Sequence, residues 1–172
     1  MNPLKKYING IYSCSLIDLK DKKWHLKSGI PNESGWYFIS TNAPLSVLQN
    51  QVLWKKKYIQ KKNVKTKNVG NYNIQERASR YSPDLQIYWN TKDVYSGMAS
   101  KLRDRAKEHT FPDPGTGGLA LSKYNGLLNY EWRFHFLTLS RFMHICACPD
   151  MILHLGEQLW REKNGWPILC VE

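Results

Sequence analysis

The segment from Tyr95 to His109 carries residue types that could do chemistry on a phosphate. It reads as the end of a strand that breaks at Gly97 and continues into a helix, with Leu102 on the apolar face of that helix. Arg105 and His109 lie four residues apart, so both side chains emerge from the same side of the helix. If the tyrosine, arginine and histidine meet at one point, they could hold a phosphate and transfer protons.

A second segment places another tyrosine in a predicted strand. Residues 31–35 form a turn rich in proline, asparagine, serine and glycine, and Trp36, Tyr37, Phe38 and Ile39 follow it. A turn that leads into aromatic and β-branched residues predicts a strand. Residues 119–128 are predicted to form a helix, and residues 132–138 alternate well enough to predict a further strand of the same small sheet.

The two tyrosine segments resemble the GIY-YIG nuclease motif. Gly35, Tyr37 and Ile39 resemble its opening. Five residues fall in register with its second half: Tyr95, Gly97, Leu102, Arg105 and His109. The sequence departs from the motif where Trp36 and Ser96 replace isoleucines and where Ala99 replaces a small polar residue. The resemblance implies an α+β fold: a small three-stranded antiparallel sheet flanked by helices.

Two other tyrosines compete with Tyr37 for the first tyrosine position of the motif. Gly10, Ile11 and Tyr12 spell its letters, but Tyr12 lies far from Tyr95 in the chain. Tyr88 is closer to Tyr95 but has no glycine two residues before it. Tyr37 is the favoured candidate.

The last predicted helix carries the candidate metal ligand. Its pattern spans residues 151–162, with Pro149 and Asp150 at its start and Asn164 and Gly165 at its end. In the family, a glutamate on the helix after the third strand binds the metal. Glu157 matches that position, with Glu162 as the fallback, and a carboxylate oxygen suits Mg²⁺ or Mn²⁺. Asn164 comes earlier than the family's later asparagine and is either its counterpart or only a helix cap.

The resemblance also implies a role for each residue. Tyr37 would be the general base, with His109 and Tyr95 positioning it or the attacking water, while Arg105 would hold the scissile phosphate and Glu157 the metal. The products would be 5′-phosphate and 3′-hydroxyl ends. Because a free tyrosine has a pKa of about 10, Tyr37 could act as a base only if cations and hydrogen bonds stabilise its phenolate.

Charge indicates a polyanionic partner. The chain has 172 residues, of which 25 are lysine or arginine and 14 are acidic, giving a net charge of +11. No apolar run approaches the roughly 20 residues that span a bilayer, and no signal peptide opens the chain. Double-stranded DNA is therefore the expected partner, no membrane association is expected, and the expected location is the cytoplasm, with reduced cysteines.

A long basic insertion, residues 41–84, separates the first two strands of the predicted sheet. We expect its cations to contact DNA phosphates and to make binding depend strongly on salt. They are Lys55, Lys56, Lys57, Lys61, Lys62, Lys65, Lys67, Arg77 and Arg80. Residues 1–29 form an N-terminal extension, and the whole chain, 1–172, is expected to be a single nuclease-like domain.

A cluster of histidines and cysteines raises the alternative of a zinc site. His144, Cys146, Cys148 and His154 are potential ligands, but no second pair stands at the separation usual for structural zinc. Buried thiols in an apolar segment are the favoured interpretation.

The length leaves no room for a further full domain, so recognition is expected to come from the insertion and the extension. This favours a type II restriction endonuclease of a restriction–modification system, which cuts both strands of duplex DNA with a divalent metal. Cutting two strands suggests a homodimer or transient pairing on DNA. The alternatives are a structure-selective or nicking nuclease of the same family and a catalytically inactive basic DNA-binding module.

Overall fold

A computed structural model describes residues 3–8, 10, 12–52, 57–62, 65–70, 72–113, 116–142 and 148–170. In chain order the elements are α1 (Pro3–Ile8), β1 (Ser13–Leu16), α2 (Trp24–Lys27), β2 (Gly35–Thr41), α3 (Leu45–Gln49), β3 (Lys57–Lys62), β4 (Lys65–Gly70), α4 (Ile74–Ala78), β5 (Trp89–Asn90), β6 (Asp93–Ala99), α5 (Leu102–Thr110), β7 (Trp132–Thr138), α6 (Pro149–Asn164) and β8 (Trp166–Pro167).

The strand that carries Tyr37 lies inside a four-stranded antiparallel sheet of order β1-β7-β2-β6. The α+β class is confirmed, but the prediction of three strands is wrong. The fourth strand, β1, comes from the N-terminal extension and pairs with the outer edge of β7, so that Ser13 lies opposite Phe136. Pairing satisfies backbone groups that would otherwise be exposed along β7. A four-residue strand of sequence SCSL carries too little alternation to be recognised.

The two faces of the sheet bury two separate cores because successive side chains of a strand point in opposite directions. On one face Tyr37 and Ile39 pack with Leu102 and Ala106 of α5. On the other face Trp36 packs with the buried residues of α6 and its neighbours, which include Leu137, Ile152, Leu153 and Trp160. The helices α5 and α6 therefore lie on opposite faces of the sheet.

Helix α6 lies close to the sheet at its middle turn. A Cβ at Gly156 would overlap the indole of Trp36, so only glycine leaves room for that ring. The indole Nε1 donates a hydrogen bond of 2.6 Å to the Leu153 carbonyl. These contacts fix the turn of α6 that carries Glu157.

The insertion between β2 and β6 contributes to the core as well as to the surface. It holds α3, the β3–β4 hairpin and α4, and Leu48, Ile74 and Ala78 are buried in the core on the α5 side. The described residues thus attach the insertion to the sheet through its two helical ends.

Some predicted elements are confirmed and others take a different form. The strand at 132–138 and the last helix, which ends at Gly165 with a φ of +83°, are as predicted. The predicted helix over 119–128 is instead two 3₁₀ turns, Leu121–Lys123 and Asn125–Leu127, and Tyr88 ends a 3₁₀ turn that begins at Pro83. Strand β6 does not break at Gly97 as predicted but continues to Ala99, and helix α5 begins after Lys101. No helix in the described ranges is long and apolar enough to cross a membrane.

Candidate active site

Tyr37 lies directly opposite Gly97 of β6, and its ring crosses over that glycine. A Cβ at position 97 would stand 2.5 Å from the Tyr37 Oη, so a larger residue would displace the tyrosine. The ring stacks between Phe134 and Tyr95, with ring centroids 5.0 and 6.2 Å away. The strand pairing therefore fixes the position of the Tyr37 hydroxyl.

Two side chains of α5 reach the Tyr37 oxygen. The Nε of Arg105 donates a hydrogen bond of 3.0 Å to Oη, and the Nε2 of His109 lies 2.8 Å from the same atom. Arg105 and His109 occupy one side of α5, one turn apart, as their spacing predicts. The structure thus brings together Tyr37, Tyr95, Arg105 and His109 from three elements.

The backbone N–H of Leu119 assigns the tautomer of His109. It donates to Nδ1 at 3.3 Å, so Nδ1 is the unprotonated nitrogen and a neutral ring carries its proton on Nε2. The Nε2–H then donates to the Tyr37 Oη. Two N–H groups converge on one phenol oxygen, which is an arrangement that stabilises negative charge on that oxygen.

Burial opposes charge at this cluster in the free protein. Burial raises the pKa of Tyr37 well above its ordinary value and the charge of Tyr95 adds to that rise, whereas Arg105 lowers it. Burial and the positive charge of Arg105 hold the pKa of His109 well below its usual value. The resting site therefore contains a neutral phenol and a neutral imidazole.

Arg105 connects the buried tyrosine to the surface. Its Nη1 pairs with Glu108 at 2.7 Å and donates to the Thr116 carbonyl at 3.1 Å, and 21% of its side chain is exposed. It lines an open pocket of about 390 Å³ together with Ser100, Lys101 and Asp104. A phosphate in this pocket would reach the guanidinium after replacing Glu108 as its partner.

Glu157 lies at the edge of the sheet and is only slightly exposed. Its Oε1 accepts a hydrogen bond of 2.6 Å from Arg161, and 16% of its side chain is accessible. Burial raises the pKa of Tyr95; Arg105 lowers it and the charge of Glu157 raises it further. Because β6 is an edge strand, residues of helices on opposite faces both act on Tyr95. The fallback, Glu162, is exposed and pairs with Lys5 at 3.3 Å.

The donor set at Glu157 suits a hard divalent cation that keeps much of its water. Within the described residues no group of three or more histidine, cysteine or acidic side chains could hold a metal ion. A single carboxylate is nevertheless compatible with Mg²⁺ or Mn²⁺, whose remaining ligands are waters and substrate oxygens. The zinc alternative stays untested because His144 and Cys146 lie outside the described residues. Cys148 and His154 are exposed, so the prediction of a buried thiol is wrong for Cys148.

The competing tyrosines lie elsewhere. Tyr12 packs edge-on against Phe38 at 5.1 Å, on the α6 face of the sheet and away from His109. Tyr88 is 62% exposed and lines a pocket with Arg161 and Asn164. The Asn164 side chain donates to the Trp160 carbonyl at 2.8 Å, which is a contact of a helix end.

Part of the predicted DNA-binding set approaches the site. The guanidinium of Arg77 stands 5.5 Å from the centre of the Tyr72 ring, and that ring lies 6.3 Å from the ring of Tyr95. Arg80, which follows α4, pairs with Glu76 of that helix at 3.8 Å. Lys57, Lys61, Lys62, Lys65 and Lys67 belong to the β3–β4 hairpin, and Lys55 and Lys56 lie outside the described residues. DNA contact by all nine cations stays a prediction.

The sequence did not reveal three contributors to the site. Leu119 acts through its backbone, and an N–H group has no sequence signature. Ser96 accepts a hydrogen bond from Arg161, although the motif predicts an apolar residue there. Of the three, only Arg161 could have been identified from the sequence, because it follows Glu157 by four residues and so lies beside it on a helix.

We expect His109 to make stability fall with decreasing pH. In the unfolded chain its pKa is near 6.5, whereas the folded pKa is lower, so below about pH 6.5 the unfolded state binds one proton more. This contributes a slope of up to about 1.4 kcal/mol per pH unit. His25 and His135, whose pKa values are also lowered by burial, add to the slope of the wild type.

The check is urea unfolding of wild type and His109→Gln between about pH 5 and pH 7. The variant is expected to be less stable at pH 7. Its free energy of unfolding should also change less with pH, by the slope that one proton contributes. An unchanged slope would show that His109 is not held neutral in the folded chain.

Comparisons of the chain with models of known protein families, with curated proteins and with solved structures found no match.

Proposed function

We propose that this protein is a metal-dependent endonuclease that hydrolyses phosphodiester bonds in duplex DNA, with the chemistry of the GIY-YIG nucleases. The observation that carries the proposal is the convergence of Arg105 and His109 on the Tyr37 oxygen. Glu157 lies on the opposite face of the sheet, at the edge formed by β6. A phosphate-binding cation, a tyrosine with two donors and a carboxylate are the groups that such a hydrolysis requires.

Arg105 would bind the scissile phosphate. Its planar guanidinium can donate two parallel hydrogen bonds to phosphate oxygens, and its exposed side lies in the open pocket. Glu108 and the Thr116 carbonyl hold the guanidinium in place before substrate arrives. The phosphate would take over the position of the Glu108 carboxylate, which has the same charge and a similar geometry.

Tyr37 would act as the general base on the attacking water in its phenolate form. The phenol proton would first pass to solvent, and the phenolate would then take up the proton that the attacking water loses. The phenol proton cannot pass to His109, because the Leu119 N–H occupies Nδ1 and the proton on Nε2 already points at Oη. His109 instead stabilises the phenolate by donating to it, together with Arg105. Tyr95 stacks alongside and limits the movement of the Tyr37 ring. In this role His109 positions and stabilises Tyr37 and does not relay its proton.

Glu157 would hold Mg²⁺ or Mn²⁺, which when bound supplies positive charge next to the leaving 3′ oxygen. The turn of α6 that carries it is fixed to the sheet through Gly156 and Trp36. Hydrolysis in this arrangement leaves 5′-phosphate and 3′-hydroxyl ends.

Duplex DNA is the substrate that the charge favours. A net charge of +11 gives long-range attraction to a polyanion, and Arg77 lies beside the aromatic residues that contact Tyr95. We propose a restriction-type enzyme that uses the insertion for recognition and two copies of the chain, stable or transient, to cut both strands.

Digestion of a genome-sized duplex DNA with Mg²⁺, followed by sequencing of the new ends, tests this function. Ends at one short sequence on both strands would support a restriction-type enzyme, and single-strand breaks would indicate a nicking or structure-selective nuclease. A salt-sensitive gel shift without cleavage by folded protein, in Mg²⁺ and in Mn²⁺, would overturn the nuclease proposal and leave a DNA-binding module.

A further inference from the structure

Arg161 is held in place by three different groups around Glu157. Its Nη2 donates to the Glu157 Oε1 at 2.6 Å, its Nε donates to the Ser96 Oγ at 3.0 Å, and its guanidinium carbon lies 4.4 Å from the centre of the Trp166 ring. Only 13% of its side chain is exposed. An arginine that is buried and fixed to this degree differs from the exposed ion pairs of the surface, such as Lys27 with Asp21.

Ser96 is part of this arrangement. It stands in β6 at the position where the motif predicts isoleucine, and it is 3% exposed. An isoleucine there would offer no acceptor to the Nε of Arg161. The polar residue in a buried strand and the arginine on α6 therefore satisfy each other across the sheet edge.

The pairing places a permanent positive charge on the carboxylate that is the candidate metal ligand. A divalent cation held by Glu157 would share the carboxylate with the guanidinium, and two cations on one carboxylate repel each other. At the same time, the hydrogen bond from the arginine fixes the rotamer of Glu157 before any metal arrives.

Resting on the proposed nuclease function, we propose that Arg161 is a positioning residue that acts as the resident counter-cation of Glu157. It orients the carboxylate in the free protein and weakens the affinity of the site for a divalent metal. Metal then binds firmly only when the substrate phosphate adds negative charge, which couples metal binding to DNA binding. The site therefore holds little metal in the absence of DNA.

Binding of Mn²⁺ to the DNA-free protein, measured by isothermal titration calorimetry, tests this role. Arg161→Met removes the charge while keeping an extended side chain against Trp166, and it is expected to bind Mn²⁺ at least about tenfold more tightly than wild type. Arg161→Lys keeps the charge and is expected to stay within about threefold of wild type. Glu157→Gln is expected to lose the site.

Thermal melting of each variant checks that it is folded. If Arg161→Met unfolds, the neutral, polar Arg161→Gln replaces it and is likewise expected to bind Mn²⁺ more tightly than wild type. Unchanged or weaker Mn²⁺ binding by a folded neutral variant, with binding lost in Glu157→Gln, would overturn the counter-cation role and leave the metal site standing. Measurable Mn²⁺ binding by Arg161→Met that stays equally tight when Glu157→Gln is added would overturn both the role of Arg161 and the metal ligand of the proposed function.

Discussion

Replacing Arg105 with alanine is expected to lower the rate of DNA cleavage by about 10³-fold or more while the protein stays folded. The variant loses the phosphate-binding guanidinium and one of the two donors to the Tyr37 oxygen. The cost in stability is expected to be about 1–2 kcal/mol, because the ion pair with Glu108 is partly exposed and the Tyr37 hydroxyl keeps His109 as a partner. Single-turnover cleavage and thermal melting measure the two effects.

Lys107→Ala is the matched control for Arg105→Ala. It removes the same charge from the same helix, but Lys107 pairs with Asp113 at the surface, outside the tyrosine cluster. Cleavage by the control is expected to change only a few-fold, through a weaker attraction to DNA. Equal losses in the two variants would show that charge on α5 matters and that the position of Arg105 does not.

Replacing Tyr37 with phenylalanine is expected to lower cleavage by about 10²- to 10⁴-fold, the range of a lost general base. The ring keeps its stacking, but Arg105 and His109 lose their shared acceptor, so stability should fall by about 1–3 kcal/mol. The same change at Tyr12 or Tyr88 is expected to leave cleavage near the wild-type rate, because neither ring lies in the cluster.

The three tyrosine variants, assayed side by side on one DNA substrate, distinguish the candidates for the first tyrosine of the motif. Loss of activity in Tyr88→Phe alone would move the site to the pocket lined by Tyr88 and Arg161. Full activity in Tyr37→Phe would show that the buried cluster stabilises the fold and does not take part in cleavage.

Strong local patterns in the sequence predicted the strands and helices that carry the site residues. The turn before Gly35, the alternation over 132–138 and the capped apolar pattern of α6 each determine an element through a few neighbouring residues. The spacing of Arg105 and His109 likewise fixed their common side of α5. These features depend on backbone periodicity, which a sequence displays directly.

Other features depend on contacts between distant segments, and the sequence could not show them. Strand β1 exists because β7 offers an unpaired edge, and its own four residues give no clear signal. The tautomer of His109 depends on a backbone N–H of Leu119 that the chain places there after a loop. The opposing influences of Arg105 and Glu157 on Tyr95 arise from two helices on opposite faces that meet at one edge strand.

The most direct test of the proposed site is a DNA cleavage assay in Mg²⁺ with wild type, Glu157→Gln and Glu162→Gln. The substrate is a long duplex DNA that contains many different sequences. The two variants change equivalent carboxylates on one helix, but only Glu157 pairs with Arg161 and raises the pKa of Tyr95, whereas Glu162 is exposed. We expect wild type and Glu162→Gln to cut at similar rates, and folded Glu157→Gln not to cut. Mg²⁺-dependent cutting by Glu157→Gln at the wild-type rate would contradict the proposed active site.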